Sequence, residues 1–287
     1  MTEPMVWVDG RLAPASTARI SALDRGFRSG EGVFTTLRAD AGRVFRLRAH
    51  LDRLLRDAAT LELHLDAERL TGAVAATVAA NHHLGPSLAV RITCSAGPVD
   101  LAAAFPATGP RAPTVVVTAQ AVGPGRGAAR GHPVPWHRQL AQLKSTSYLP
   151  ATLAQQHARA QGATDALLCD DGHVLEAASA NLFVLHRGTV HTAPVEAGVL
   201  PGVTRSAVLE VLADLGLPAV QRACTLAELR AADEAWLTSA VRGIRALTHV
   251  EDAAIGSGEE GAVTDRVRAG YRALLEREQA PLPDVRS

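Results

Sequence analysis

Lys144 is the only lysine in a chain of 287 residues. Lysine and arginine together number 29, so every other basic residue is an arginine. A guanidinium stays protonated and does not add to a carbonyl, whereas a lysine amine that has lost its proton can form a Schiff base. Lys144 is therefore the first candidate for covalent chemistry with a carbonyl compound. A composition rich in alanine and arginine also depletes lysine generally, so one survivor could be accidental. The other motifs have to decide.

Three of them carry polar chemistry. Arg53 follows His50 by three residues on a leucine-periodic segment, which puts both on one helix face. There an arginine either pairs with a surface acid or holds an anion. Leu200-Pro201-Gly202-Val203-Thr204-Arg205 leads into a helix expected over Ser206 to Leu215. A Pro-Gly turn at a helix start leaves the first N–H groups pointing outward, and with the helix dipole they suit a phosphate. The plainer reading makes Thr204 an ordinary cap. Glu176 stands at a strand end, before the small-residue loop to Asn181. A loop holding Gly26, Gly30 and Gly32 could admit a ligand close to the backbone, but it lacks the lysine and spacing of a P-loop.

These residues need elements to hold them. Met5 to Leu12 reads as a hairpin with an Asp9-Gly10 turn, and Val33 to Leu37 as a strand. Leu47, Leu51, Leu54, Leu55 and Ala58 recur at helical spacing, and residues 66–83 form a second amphipathic segment. Ser87 to Cys94 alternates as a strand, and Thr114 to Thr118 is a β-branched run. Residues 121–131 carry four glycines and a proline without periodicity and read as an interdomain loop. This divides the chain into an N-terminal domain over 1–120 and a C-terminal domain over 132–287 that carries the lysine. The second half reads as a helix over Pro150 to Gln161, strands near 165–169, 173–176, 182–185, 189–192 and 235–240, and short helices between them. A helix from about 262 precedes a proline-containing end that reads as disordered. Strands and helices mixed in both halves give an α/β (α+β) class.

Composition excludes several functions. Acidic and basic residues balance at 29 each, which argues against nucleic-acid binding. Cys94, Cys169 and Cys224 are far apart, with no metal-ligand spacing and no disulfide framework, which favours a reducing, cytoplasmic setting. The N-terminus has no signal-peptide pattern, and no apolar run is long enough for a membrane span. Aromatics are 3% of the chain, so the core rests on alanine, valine and leucine.

Five segments in order resemble the class IV aminotransferases, the fold-type IV pyridoxal-phosphate enzymes. Asp24 to Phe34 looks like D-x-G-x-x-x-G-D-G-x-F, and His50 to Leu54 like H-x-x-R-L. Lys144 to Leu149 looks like K-x-x-N-Y-L, Glu176 to Phe183 like E-x-x-x-x-N-[LI]-F, and Leu200 to Arg205 like L-P-G-[IV]-T-R. The resemblance covers about residues 6 to 250. It implies two α/β domains of the D-amino-acid aminotransferase-like architecture, a homodimer, a small-molecule amine substrate and pyridoxal 5′-phosphate as cofactor. Lys144 would carry the cofactor aldehyde and move the substrate proton. Glu176 would face the pyridine nitrogen, and Tyr148 would lie near the ring. Arg53 would bind the phosphate with Val203, Thr204, Ser239 and Ala240, while His50 would be structural. Thr35, Arg126 and Arg242 are candidates for the substrate. Glu31 and Ser147 replace the family's aspartate and asparagine, and Thr35 stands where its aminotransferases often have glutamate. Phe34-Thr35-Thr36 with Arg38 resembles the F-T-T-x-R of aminodeoxychorismate lyases. The reaction expected first is therefore release of pyruvate and 4-aminobenzoate from 4-amino-4-deoxychorismate, with transamination of branched-chain or D-amino acids as the alternative and a non-catalytic cofactor-binding module as the third reading.

Overall fold

A computed structural model describes residues 3–99, 112–125, 127–136 and 139–283. By contacts it divides into two units. The first comprises residues 1–123, 143–147 and 278–287, and the second residues 124–142 and 148–277.

The first unit is a seven-stranded antiparallel sheet with helices on one face. Its elements are β1 (Met5–Val8), β2 (Arg11–Pro14), α1 (Arg25–Ser29), β3 (Gly32–Asp40), β4 (Arg43–Phe45), α2 (Leu47–Ala59), α3 (Ala67–Ala80), β5 (Ser87–Ser95) and β6 (Thr114–Ala121). A C-terminal strand, Gln279–Pro281, pairs with β4, and the order continues β3, β5, β6, β1, β2. The segment expected to be disordered is thus ordered through Pro281, because its backbone completes the sheet edge. Asp9 and Gly10 both take positive φ, as the tight β1–β2 hairpin requires. On β3, Val33, Leu37 and Ala39 point into the core with residues of α2 and α3 such as Leu51, Leu54, Leu70 and Val74. Phe34, Thr36 and Arg38 point to the other face, since side chains alternate along a strand.

The lysine segment belongs to this first unit, not to the C-terminal half where the sequence places it. Main-chain bonds explain why. Phe34 N donates to Lys144 O at 2.8 Å, and Thr146 N donates to Gly32 O at 2.8 Å. The Thr146 hydroxyl adds bonds to the carbonyls of Gly30 and Gly32.

The second unit holds β7 (Ala129–Pro135), α4 (Leu149–Ala160), β8 (Asp165–Asp170), β9 (His173–Ala177), β10 (Ala180–His186), β11 (Thr189–Thr192), α5 (Val203–Asp214), β12 (Ala219–Gln221), β13 (Cys224–Thr225), α6 (Leu226–Arg230), β14 (Glu234–Ser239), β15 (Gly243–Val250), β16 (Ala253–Ala254) and α7 (Ala262–Glu278). The strands run β12-β11-β10-β14-β15-β7-β8-β9-β13, and a further β9–β10 pairing closes β10, β14, β15, β7, β8 and β9 into a ring. Small and branched residues such as Ala129, Leu167, Leu182, Val184, Leu237 and Leu247 form one core there, as the scarcity of aromatics requires. Strand β7 takes up the end of the expected 121–131 loop. Glu234 accepts from Val263 N and Thr264 N, which caps α7. Helix α5 starts at Val203, three residues earlier than its apolar periodicity suggests, because Gly202 takes the extended N-cap conformation.

Candidate active site

In the first unit the candidate residues gather around α2. His50, Arg53 and Asp57 lie at i, i+3 and i+7 on one buried face of that helix. Arg53 Nη2 donates to Thr35 Oγ1 at 3.0 Å, and the same hydroxyl lies 3.0 Å from His50 Nδ1. The hydroxyl thus bridges the guanidinium and the imidazole, and the imidazole is neutral at this buried position. Burial, aided by the charges of Arg53 and Lys144, pushes the His50 pKa down to about 3. Burial also lowers the Arg53 guanidinium to about 10, against the opposing effect of Asp57. The Asp57 carboxyl is raised by burial, partly offset by its bond from Lys144 and by nearby positive charge.

Lys144 is half-buried. Its main-chain N–H donates to Asp57 Oδ2 at 3.1 Å, and its Nζ lies 4.6 Å from the centroid of the Phe34 ring. The Arg91 guanidinium lies 3.5 Å from the same centroid, with Nε donating to Thr93 Oγ1. Ser147 does local work of its own, since its hydroxyl donates to Gly30 O at 3.1 Å and ties the lysine segment to the Gly-rich loop. Glu31 pairs with Arg25, which braces that loop.

The second unit assembles the other candidates. Glu176 is buried, and its Oε2 accepts from Asn181 Nδ2 and from Leu200 N, both at 3.2 Å. Two N–H donors on one oxygen favour the charged carboxylate and set its orientation. Asn181 also donates to Leu200 O at 2.9 Å, so one amide fixes both the acid and the Leu200–Arg205 turn. A Cβ on Gly202 would come within 2.2 Å of Asn181 Oδ1, so only glycine fits there. Helix α5 has no side-chain cap at Gly202, and Val203 and Thr204 are buried at its first turn. Asn181 pairs with Thr238 across the β10–β14 ladder, and Ser239 and Ala240 follow at the strand end. Thr238 is buried, and its hydroxyl has no hydrogen-bond partner among the described residues. An uncapped helix start, a buried hydroxyl in need of a partner and a fixed carboxylate fit a group that is anionic at one end and carries a protonated nitrogen at the other. Tyr148 precedes α4, and its hydroxyl donates to Ala178 O at 3.4 Å.

One sequence expectation needs correction, and the structure locates others. Thr35 is fully buried on the helix side of β3, where it supports Arg53 and His50, so it does not line a substrate site. Arg38 points to the opposite face and pairs with Asp40 and Ser87. Arg242 is exposed in the β14–β15 turn. Arg126 lies outside the described residues, and Arg130 bonds to Glu251 O. Two contributors were missed. Asp57 repeats the Arg53 face one turn on, and Arg91 stands opposite the apolar alternation of Leu88, Val90 and Ile92. Among the described residues no cluster of His, Cys, Asp or Glu could hold a metal, and no helix is long and apolar enough to cross a membrane.

The structure is similar to a branched-chain aminotransferase from Thermoproteus uzoniensis solved with norvaline. Identity is 30% and the TM-score 0.90, over 98% of this chain and all of that one. It is also similar to a T.th. branched-chain amino acid aminotransferase solved with pyridoxamine 5′-phosphate, at 26% identity and TM-score 0.88, covering 99% and 100% of the two chains. The D-alanine aminotransferase of Bacillus licheniformis is 28% identical over 96% of this chain and 98% of its own length. Residues 32–250 match the family described as amino-transferase class IV, and the chain belongs to that family.

Proposed function

We propose that this protein is a pyridoxal 5′-phosphate-dependent aminotransferase acting on amino acids with aliphatic side chains. The observation that carries the reading is the Phe34 ring with two cations on it, the amine of Lys144 and the guanidinium of Arg91. An amine that can bond an aldehyde, an apolar wall and a carboxylate-binding guanidinium are what an aliphatic amino acid needs. The similar structures bear on the same point, since one was solved with norvaline and another with pyridoxamine 5′-phosphate.

As the family resemblance implies, Arg53, the N–H groups of Val203 and Thr204, and the Ser239–Ala240 strand end would hold the phosphate. Glu176 would face the pyridine nitrogen and would keep it protonated. Bound there, the cofactor supplies an electron sink for the bond broken at the substrate α-carbon. Lys144 would hold the cofactor aldehyde and would carry the proton taken from the substrate α-carbon. Tyr148 would lie beside the ring, and Arg91 would orient the substrate carboxylate. The lyase expectation rested on Phe34 to Arg38, but Thr35 there is bonded to Arg53 and His50 on the helix side of β3, so it does not favour a bulky cyclic amine over an amino acid. Family resemblance implies a homodimer, and a second copy would cover exposed Leu149 and Leu153 on α4. Light scattering would then give twice the chain mass.

The test is amino transfer by the holoenzyme from norvaline, valine, leucine and alanine, each as L- and D-enantiomer, to 2-oxoglutarate. Glutamate formation from one enantiomeric series is expected. No transfer from any donor, with 4-aminobenzoate released from aminodeoxychorismate, would restore the lyase. Lys144→Ala should abolish the visible band of the bound cofactor, and an unchanged band would remove Lys144 from the role.

A further inference from the structure

We propose that Asp57 is a positioning residue for Lys144: its carboxylate ties the lysine main chain to helix α2 and balances the positive charge gathered there. The proposal rests on the lysine assignment above. The bond from Lys144 N to Asp57 Oδ2, at 3.1 Å, spans 87 positions of sequence and is the side-chain contact that fixes the lysine backbone against the helix carrying Arg53. Asp57 is 3% exposed. A carboxylate is an expensive group to bury merely to satisfy one N–H, because a neutral amide or hydroxyl would do so without the desolvation cost. Its charge has a use here. Arg53, Arg56 and Lys144 all act on Asp57 electrostatically, and on the other side the Arg91 guanidinium of β5 shares the Phe34 ring with the lysine amine. Asp57 therefore does two things for one residue. It holds the place of Lys144, and it moderates how far its neighbours depress the proton affinity of the amine.

Both effects can be read on the cofactor-free protein, because Lys144 is the sole lysine. Acylation of the apo-protein across a pH series, followed by mass analysis of the Lys144 peptide, reports the pKa of its amine. Amide hydrogen exchange of the same peptide reports the tether. Asp57→Asn keeps an acceptor and removes the charge, so the labelling pKa should fall by about half a unit or more while exchange stays as in the parent. Asp57→Ala removes both, so exchange should also quicken. An unchanged labelling pKa in D57N overturns the proposal, as does unchanged exchange in a folded D57A. If D57A does not fold, the D57N titration decides alone. Failure of the cofactor reading would show separately, as a missing visible band in the unmodified protein, and would leave this titration interpretable.

Discussion

Arg53 Nη2 donates to the hydroxyl of Thr35 at 3.0 Å, with both side chains buried beneath β3. The threonine is a bracket for the arginine proposed to bind the phosphate. It joins Arg53 to His50 on one side of the helix face, while Asp57 joins that face to Lys144 on the other. The phosphate ligand and the lysine of the proposed cofactor site are thus set by one helix.

Thr35→Val keeps the shape and removes the bracket. Arg53 and His50 each lose a buried partner, so stability should fall by about 1–3 kcal/mol. The cofactor should also dissociate more readily, since the arginine is no longer oriented. Chemical denaturation and equilibrium dialysis against pyridoxal phosphate check the two halves. A variant with parental cofactor affinity would separate Thr35 from the phosphate site.

The buried histidine makes stability acid-sensitive. His50 has a folded pKa of about 3, well below the ordinary histidine value near 6.5. Between those pH values the unfolded chain binds a proton that the folded chain does not, so stability is complete above about pH 6.5 and falls as pH drops toward 3. The limiting slope is about 1.4 kcal/mol per pH unit. In His50→Asn, whose amide can donate or accept toward the Thr35 hydroxyl, the acid limb of a melting-temperature profile should flatten between pH 6 and 3. An unchanged limb would assign acid unfolding to other groups.

Gly202→Ala should damage the site without touching any group proposed to bind the cofactor. The added Cβ would meet Asn181 Oδ1 at 2.2 Å, and Asn181 is what holds Glu176 and Leu200. The expected result is a folded protein, destabilised by about 1–3 kcal/mol, with a weakened cofactor band. Parental cofactor affinity in the variant would mean that the turn relaxes at no cost to Glu176.

Arg91→Gln tests the carboxylate assignment. Loss of a charged hydrogen-bond partner should lower kcat/KM about 10–100-fold for amino acids, mostly through KM, with the cofactor band retained. Primary amines lacking a carboxylate should lose little. Equal loss for both substrate classes would give Arg91 a purely structural role against Phe34.

Most of the motif residues were legible from the chain because their chemistry is local. A lone lysine, a Pro-Gly turn into a helix and the i, i+3 spacing of His50 and Arg53 are readable wherever they fall. Side-chain direction and long-range pairing are not local. Thr35 sits within a run in which residues 32–35 are all buried, so alternation could not say which face it takes; its bonds to α2 do. The lysine segment follows a glycine-rich loop and precedes α4, and by position alone it belongs with the second half. Main-chain bonds to Phe34 and Gly32, from more than a hundred residues upstream, hold it in the first unit. The last strand, Gln279–Pro281, was unreadable for the same reason, since a three-residue strand has no pattern of its own and exists because β4 offers an edge. Local spacing names the reactive groups, and pairing between distant segments sets where they stand.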